Sequence, residues 1–114
     1  MTVLKRKRTG KEGKHRNTIF IVGSSSGIGK ATARLFAEKG WTVIATMRTP
    51  EKETELTGYP NVHLFPLDVT KPEQIETTVS AVLKEHDVDV LFNNAGYGMK
   101  TRFEDMTEEA MQRS

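Results

Sequence analysis

Residues 18–33, TIFIVGSSSGIGKATA, constrain the fold more than any other part of the chain. The first five residues are mostly β-branched or aromatic, which indicates a buried strand. Glycines and serines follow without a gap, and the apolar spacing after Gly27 predicts a helix through Lys39 with Gly40 as its C-cap. A strand that passes through a glycine-rich turn into a helix is typical of a parallel α/β sheet whose turn binds a phosphate.

Each glycine of this turn has a separate predicted role. Gly23 allows the tight turn, Gly27 lets the backbone approach a phosphate, and Gly29 lets the helix pack closely on the strand. Free amides at the helix start would face the anion, and hydroxyl donors would come from Ser24, Ser25 and Ser26. The spacing is G-x-x-x-G-x-G rather than G-x-G-x-x-G, so the alternative is a serine–glycine connector without chemistry.

The rest of the chain repeats the alternation of strand and helix. Further strands are predicted at Trp41–Met47, Asn61–Leu67 and Val88–Phe92. A short helix is predicted to begin at Thr49-Pro50-Glu51, and a longer one to begin at a capping box formed by Thr70 and Glu73. Short connections between these elements predict an α/β Rossmann-type three-layer sandwich. Its parallel sheet, in strand order 3-2-1-4, would carry helices on both faces.

Charge and composition divide the chain into two parts. Residues 1–17 contain seven Lys/Arg and one acid, a net charge of +6, whereas the other 97 residues carry −4. The first part has too few apolar side chains to fold, so we expect residues 1–17 to be a disordered basic arm and residues 18–114 to be one domain. The basic pI therefore comes from the arm, and we do not expect nucleic acid as a partner.

Absent residue types narrow the function classes. No apolar run is long enough to span a membrane and no secretory signal is evident, so we expect a cytoplasmic protein without a membrane partner. The chain has no cysteine, which excludes a thiolate nucleophile. His15, His63 and His86 lack the spacing of metal ligands, and no metal site is predicted.

Two motifs together resemble the short-chain dehydrogenase/reductase family over residues 18–114. GSSSGIG is followed about 70 residues later by Asn93-Asn94-Ala95-Gly96, and the pair is far more specific than either motif alone. The resemblance implies a Rossmann fold and an oxidoreductase that uses NAD or NADP. Val22 departs from it, because the family usually has threonine there. This change implies the loss of a side-chain hydrogen bond that supports the turn.

The resemblance also implies further cofactor-binding positions. Ile28 matches the residue whose backbone faces the cofactor, and Asp68 and Val69 match the pair that contacts adenine. Asn94, Ala95 and Gly96 match the loop that closes over the adenine ribose. For Asp68, the alternative is a turn residue that helps to cap a helix. For Asn94, Ala95 and Gly96, the alternative is an ordinary loop after a strand.

The end of the second predicted strand favours NADP over NAD. An acid there would bind the ribose 2′-hydroxyl and repel a 2′-phosphate. Thr46 and Met47 are instead followed by Arg48, whose guanidinium is suited to phosphate. The alternative for Arg48 is a surface cation near Glu51.

The family's catalytic Tyr-x-x-x-Lys is not found in the sequence. Tyr59 is followed four residues later by His63, and Tyr97 by Thr101. No catalytic residue is therefore assigned. We expect the chain to be the N-terminal, cofactor-binding part of an NADP(H)-dependent oxidoreductase acting on a carbonyl or alcohol, truncated at Ser114 and inactive alone.

The alternative function is a non-catalytic NADP-binding module whose basic cluster, residues 4–8, binds nucleic acid or acts as a targeting signal. Without a further strand, residues 89–92 would form an open apolar edge, from which we expect self-association.

Overall fold

The structure is a computed structural model that describes residues 2–5, 17–25 and 27–94. Its strands are β1 (Thr2–Lys5), β2 (Thr18–Val22), β3 (Thr42–Met47), β4 (Val62–Pro66) and β5 (Val90–Asn93). Helix α1 (Gly27–Glu38) joins β2 to β3, and α2 (Pro72–Glu85) joins β4 to β5. The β3–β4 connection, residues 48–61, contains 3₁₀ turns at Pro50–Lys52 and Leu56–Gly58. Neither helix in this part of the chain has the length and apolar character needed to cross a membrane.

All five strands form one sheet in the order β1-β5-β2-β3-β4. The last four of these are mutually parallel, with Phe20 of β2 paired to Ile44 of β3 on one side and to Leu91 of β5 on the other. This arrangement confirms the predicted α/β fold and the order 3-2-1-4 of the parallel strands. The order reverses between β2 and β5, and ligands of such sheets bind outside the carboxyl ends of the strands at that point.

The core lies on both faces of the sheet. Ile19 and Ile21 of β2 face α1, where they pack in one apolar cluster with Ala33. The intervening Phe20 and Val22 face α2, in a second cluster around Val79 and Val82. Because side chains alternate across a strand and both faces are covered, every residue of β2 is buried and the strand reads as continuously apolar.

Strand β1 differs from the expectation of a disordered arm. Thr2–Lys5 pair antiparallel with β5, in a register that places Thr2 opposite Asn93 and Lys5 opposite Val90. The predicted disorder is therefore wrong for these four residues, and so is the predicted open edge of β5. Composition measures how much surface a segment can bury, whereas an edge strand is held by backbone hydrogen bonds, which every residue except proline can donate. Residues 6–16 of the arm lie outside the described residues.

Helix α2 begins later than predicted. Its N-cap is Lys71, which makes no side-chain capping bond, and Pro72 fills the first helical position, where its missing N–H costs nothing. The predicted capping box is wrong because the Thr70 hydroxyl donates instead to Asp68 Oδ1, at 2.6 Å. Thr49 likewise precedes a 3₁₀ turn without capping it through its side chain.

Candidate functional site

The turn between β2 and α1 has the backbone conformation that its glycines were expected to supply. Gly23 lies at φ +83° and Gly27 at φ +60°, a region that other residues enter only with strain. The N–H of Gly23 donates to the Thr46 carbonyl of β3 at 3.2 Å, which ties the start of the turn to the neighbouring strand. Apart from its chain neighbours, no described residue has an atom within 4 Å of where a Cβ on Gly27 would stand, so this part of the structure leaves room for a ligand there.

Gly29 is the point of closest approach between α1 and the turn. A Cβ at this position would lie 1.8 Å from the Gly23 carbonyl oxygen and 2.8 Å from its carbon. No side chain fits without a shift of the backbone, because both atoms belong to the main chain. The close packing predicted for Gly29 is observed, and it holds the first turn of α1 over the end of β2.

The three serines of the turn do not act alike. Ser24 is fully buried, and both its hydroxyl (2.9 Å) and its N–H (3.0 Å) donate to the Thr46 carbonyl. Its hydroxyl therefore stabilises the turn, and the expectation that it donates to a phosphate is not supported. Ser25 is exposed, and Ser26 lies outside the described residues. With Val22 buried in the apolar cluster, Ser24 supplies a side-chain bond that supports this turn.

The start of α1 suits a negatively charged group. The first amides of a helix lack intrahelical partners and carry partial positive charge. The first turn of α1 contains no acid that would repel an anion. The Ile28 side chain is 57% exposed beside Gly27, and it gives the same end of the helix an apolar surface. The positive-φ glycines, the close approach at Gly29 and the acid-free helix start together fit the pyrophosphate of a dinucleotide.

The end of β5 meets the glycine turn. The Asn94 N–H donates to the Val22 carbonyl at 3.1 Å, and the Asn94 Cβ is 3.6 Å from where a Cβ of Gly23 would stand. The two loops that follow β2 and β5 are thus adjacent at the point where the strand order reverses. Ala95 and Gly96, the other predicted members of this loop, lie outside the described residues.

Asp68, just beyond β4, forms local hydrogen bonds in the turn that precedes α2. Its Oδ1 accepts the Thr70 hydroxyl (2.6 Å) and the Thr70 N–H (3.0 Å), while its own N–H donates to the Gln74 side chain. The Thr70 hydroxyl and N–H lower the pKa of Asp68, and the charges of Arg48 and Lys71 lower it further. Both bonds that the Asp68 side chain accepts from Thr70 fall on Oδ1, and the expected contact of Asp68 with adenine remains a prediction.

Arg48 and Val69 lie on the exposed side of this region. Arg48 is exposed just beyond β3, whose last residue, Met47, pairs with Pro66 at the end of β4. The charge of Arg48 helps to lower the pKa of Asp68. Among the described carboxylates, Glu51 included, none forms an ion pair with Arg48. Val69 is 36% exposed next to Asp68 and adds apolar surface. An exposed guanidinium thus lies beside the predicted cofactor site.

Comparison with known proteins identifies the family. The sequence model of the short chain dehydrogenase family matches residues 17–114 of this chain. The chain belongs to the short chain dehydrogenase family. The uncharacterized oxidoreductase YvrD of Bacillus subtilis is 37% identical over 95 residues, which are 80% of this chain and 36% of YvrD.

Solved structures of other short-chain dehydrogenases share the fold of this family member. One from Streptomyces avermitilis is 39% identical with a TM-score of 0.68, over 72% of this chain and 31% of that one. One from Burkholderia multivorans, with bound NADP, is 36% identical with a TM-score of 0.62, over 72% of this chain and 37% of that one. The chain therefore spans about a third of the length of these relatives.

One pair of charges in this short-chain dehydrogenase site was not predicted from the sequence. Lys30, in the first turn of α1, places its Nζ 3.2 Å from Oε1 of Glu53 in the β3–β4 connection. Burial alone would raise the pKa of Glu53, but the Leu56 N–H and the Lys30 ammonium outweigh it and hold that pKa below its ordinary value. The two residues are 23 positions apart, so no local pattern indicates that they meet.

Proposed function

We propose that this chain is the cofactor-binding portion of an NADP(H)-dependent short-chain dehydrogenase/reductase whose substrate is a carbonyl or an alcohol. The observation that carries the choice of NADP is Arg48, an exposed guanidinium that follows β3 where an NAD-binding site would have an acid. Its lack of an ion pair among the described carboxylates leaves it available to a 2′-phosphate. The Burkholderia multivorans relative with bound NADP supports the same choice.

Each part of the proposed site holds one part of the dinucleotide. The backbone of Gly23–Gly29 and the first amides of α1 bind the pyrophosphate, and Arg48 binds the 2′-phosphate. Asp68 and Val69 contact the adenine, while Asn94, Ala95 and Gly96 border the adjacent ribose. When bound, the nicotinamide supplies or accepts the hydride of an oxidoreductase. We assign no catalytic residue to this chain, and we expect no carbonyl reduction from it alone.

The test of this proposal is the substitution Arg48→Glu, with NADPH and NADH binding measured by fluorescence titration. The new carboxylate loses the charge-assisted bonds to the 2′-phosphate and repels it. We therefore expect NADPH affinity to fall by about tenfold or more, whereas NADH affinity stays the same or improves. The matched control is Lys84→Glu, which makes the same change of charge at an exposed position in the last turn of α2. An equal loss for both cofactors in Arg48→Glu would refute the assignment to NADP.

The alternative, a binding module with a nucleic-acid or targeting arm, gains no support. Residues 6–16, which carry most of the basic charge of the arm, lie outside the described residues. Thr2–Lys5 of the arm pair with β5 through their backbone.

A further inference from the structure

The buried carboxylate of Glu53 connects two separate parts of the proposed site. Its Oε2 accepts the N–H groups of Glu55 (2.8 Å) and Leu56 (3.0 Å), and its Oε1 lies 3.2 Å from the Lys30 ammonium. A buried charge is tolerated only when it is paired and hydrogen-bonded, and both oxygens of Glu53 are used. Lys30 also lies 3.5 Å from Glu55 Oε1, so its ammonium faces two acids of the same segment.

The Lys30–Glu53 ion pair spans the distance between the phosphate turn and the Arg48 segment. Lys30 directly follows Gly29, at the end of α1 proposed to hold the pyrophosphate. Glu53 lies five residues after Arg48, beyond the first 3₁₀ turn of the β3–β4 connection. Leu56, whose amide Glu53 holds, is fully buried in the apolar cluster that α1 forms with the sheet. The connection is therefore fixed to α1 by a charge pair and by an apolar anchor.

A second pair of charges joins the same two elements further along the helix. Arg34, one turn after Lys30, places Nη1 3.5 Å from Glu55 Oε2. Both partners are about half exposed, so this outer pair contributes little by itself. The position of the β3–β4 connection therefore depends more on the buried Glu53 than on the exposed Glu55.

We propose that Lys30 and Glu53 are positioning residues that set the β3–β4 connection, and with it Arg48, at the distance from the α1 amides that a 2′-phosphorylated dinucleotide requires. This inference rests on the proposed function. NADPH has to reach the turn and Arg48 at once, whereas NADH has no 2′-phosphate and needs only the turn. A connection that is free to move relative to α1 weakens the first ligand more than the second.

The test compares four variants of the full chain by titration with NADPH and with NADH. Lys30→Met keeps an unbranched side chain without the charge, Lys30→Arg keeps the charge, and Glu53→Gln keeps an acceptor without the charge. Lys39→Met is the control, because Lys39 is exposed just beyond α1. Circular dichroism confirms that each variant is folded before it is titrated.

We expect Lys30→Met and Glu53→Gln each to weaken NADPH binding about three- to fivefold while changing NADH binding less than about twofold, because only NADPH has to reach the turn and Arg48 at once. Lys30→Arg and Lys39→Met should keep the ratio of the unmodified chain. If Lys30 instead binds phosphate directly, Lys30→Met weakens the binding of both cofactors equally. Glu53→Gln, which removes the nearer of the two acids that face Lys30, then strengthens the binding of both. Either of those results overturns the positioning role.

Failure of the proposed function is a separate result, seen when the unmodified chain binds neither cofactor. The selection of NADPH over NADH by this ion pair then fails with it. Hydrogen exchange decides whether the ion pair still fixes the connection, because the Leu56 amide should exchange faster in Lys30→Met than in Lys39→Met. Equal exchange in these two variants overturns that part of the inference.

Discussion

At the scale of single residues, the clearest constraint on the site is the contact of Gly29 with the Gly23 carbonyl. The missing Cβ of Gly29 would lie 1.8 Å from that oxygen. Replacement by alanine has to move either the first turn of α1 or the end of β2, and both belong to the proposed phosphate site.

We expect Gly29→Ala to lower the free energy of unfolding by about 1–3 kcal/mol, as an added methyl does in a packed site. Urea unfolding measures the change. Gly58→Ala is the matched control, because a Cβ there meets no atom of the described residues within 4 Å and its φ is ordinary. A Gly29→Ala variant as stable as Gly58→Ala would contradict the observed packing.

The roles of some residues could be predicted from the sequence, whereas the contacts of others could not. The roles of Gly23 and Gly29 follow from backbone geometry, which a glycine in a strand–turn–helix pattern indicates directly. The hydroxyl of Ser24 was assigned to a ligand although it binds Thr46, which lies 22 positions further along the chain. The rings of His63 and His86 are in contact at a tilt of 45°, with centroids 5.2 Å apart, and nothing in their spacing indicates that contact.

At the scale of elements, β1 covers the side of β5 that was expected to be an open edge of the sheet. Its antiparallel pairing occupies the side of β5 where the next strand of a doubly wound sheet would lie. Backbone groups of β5 that would otherwise be open to another chain are therefore used within this one.

Loss of this pairing should expose the β5 edge. We expect the double substitution Val3→Pro and Leu4→Pro to increase self-association. In an antiparallel strand, the backbone N–H groups of successive residues point alternately toward and away from the partner strand. One of the two prolines therefore removes a backbone hydrogen bond to β5. Sedimentation velocity measures the fraction of dimers and larger species.

Lys11→Pro, which lies outside β1, is the control for these prolines. It should sediment as the unmodified chain does. The same distribution for the double variant and the control would show that β1 does not protect the edge.

The elements that were predicted correctly are those defined by local periodicity. β3, β4, β5 and α1 lie within a few residues of their expected bounds, because apolar runs and helical spacing are local signals. The start of α2 was misplaced because the Thr70 hydroxyl, assigned to the cap, binds Asp68 instead. β1 was missed because a pairing between Thr2 and Asn93 is a property of the folded sheet.

At the scale of the whole molecule, the sheet brings together the carboxyl ends of its four parallel strands, β2, β3, β4 and β5. The glycine turn, Arg48, Asp68 and Asn94, which are far apart in the sequence, all follow these strand ends. The topology could be predicted from the sequence because short connections and right-handed crossovers leave few arrangements. The Lys30–Glu53 ion pair could not, because it depends on how the β3–β4 connection lies over α1.

Calorimetric titration of the unmodified chain with NADPH and, separately, with NADH tests the proposed NADP site most directly. We expect saturable one-to-one binding of NADPH that is tighter than the binding of NADH. Saturable binding of neither cofactor, or tighter binding of NADH, would contradict it.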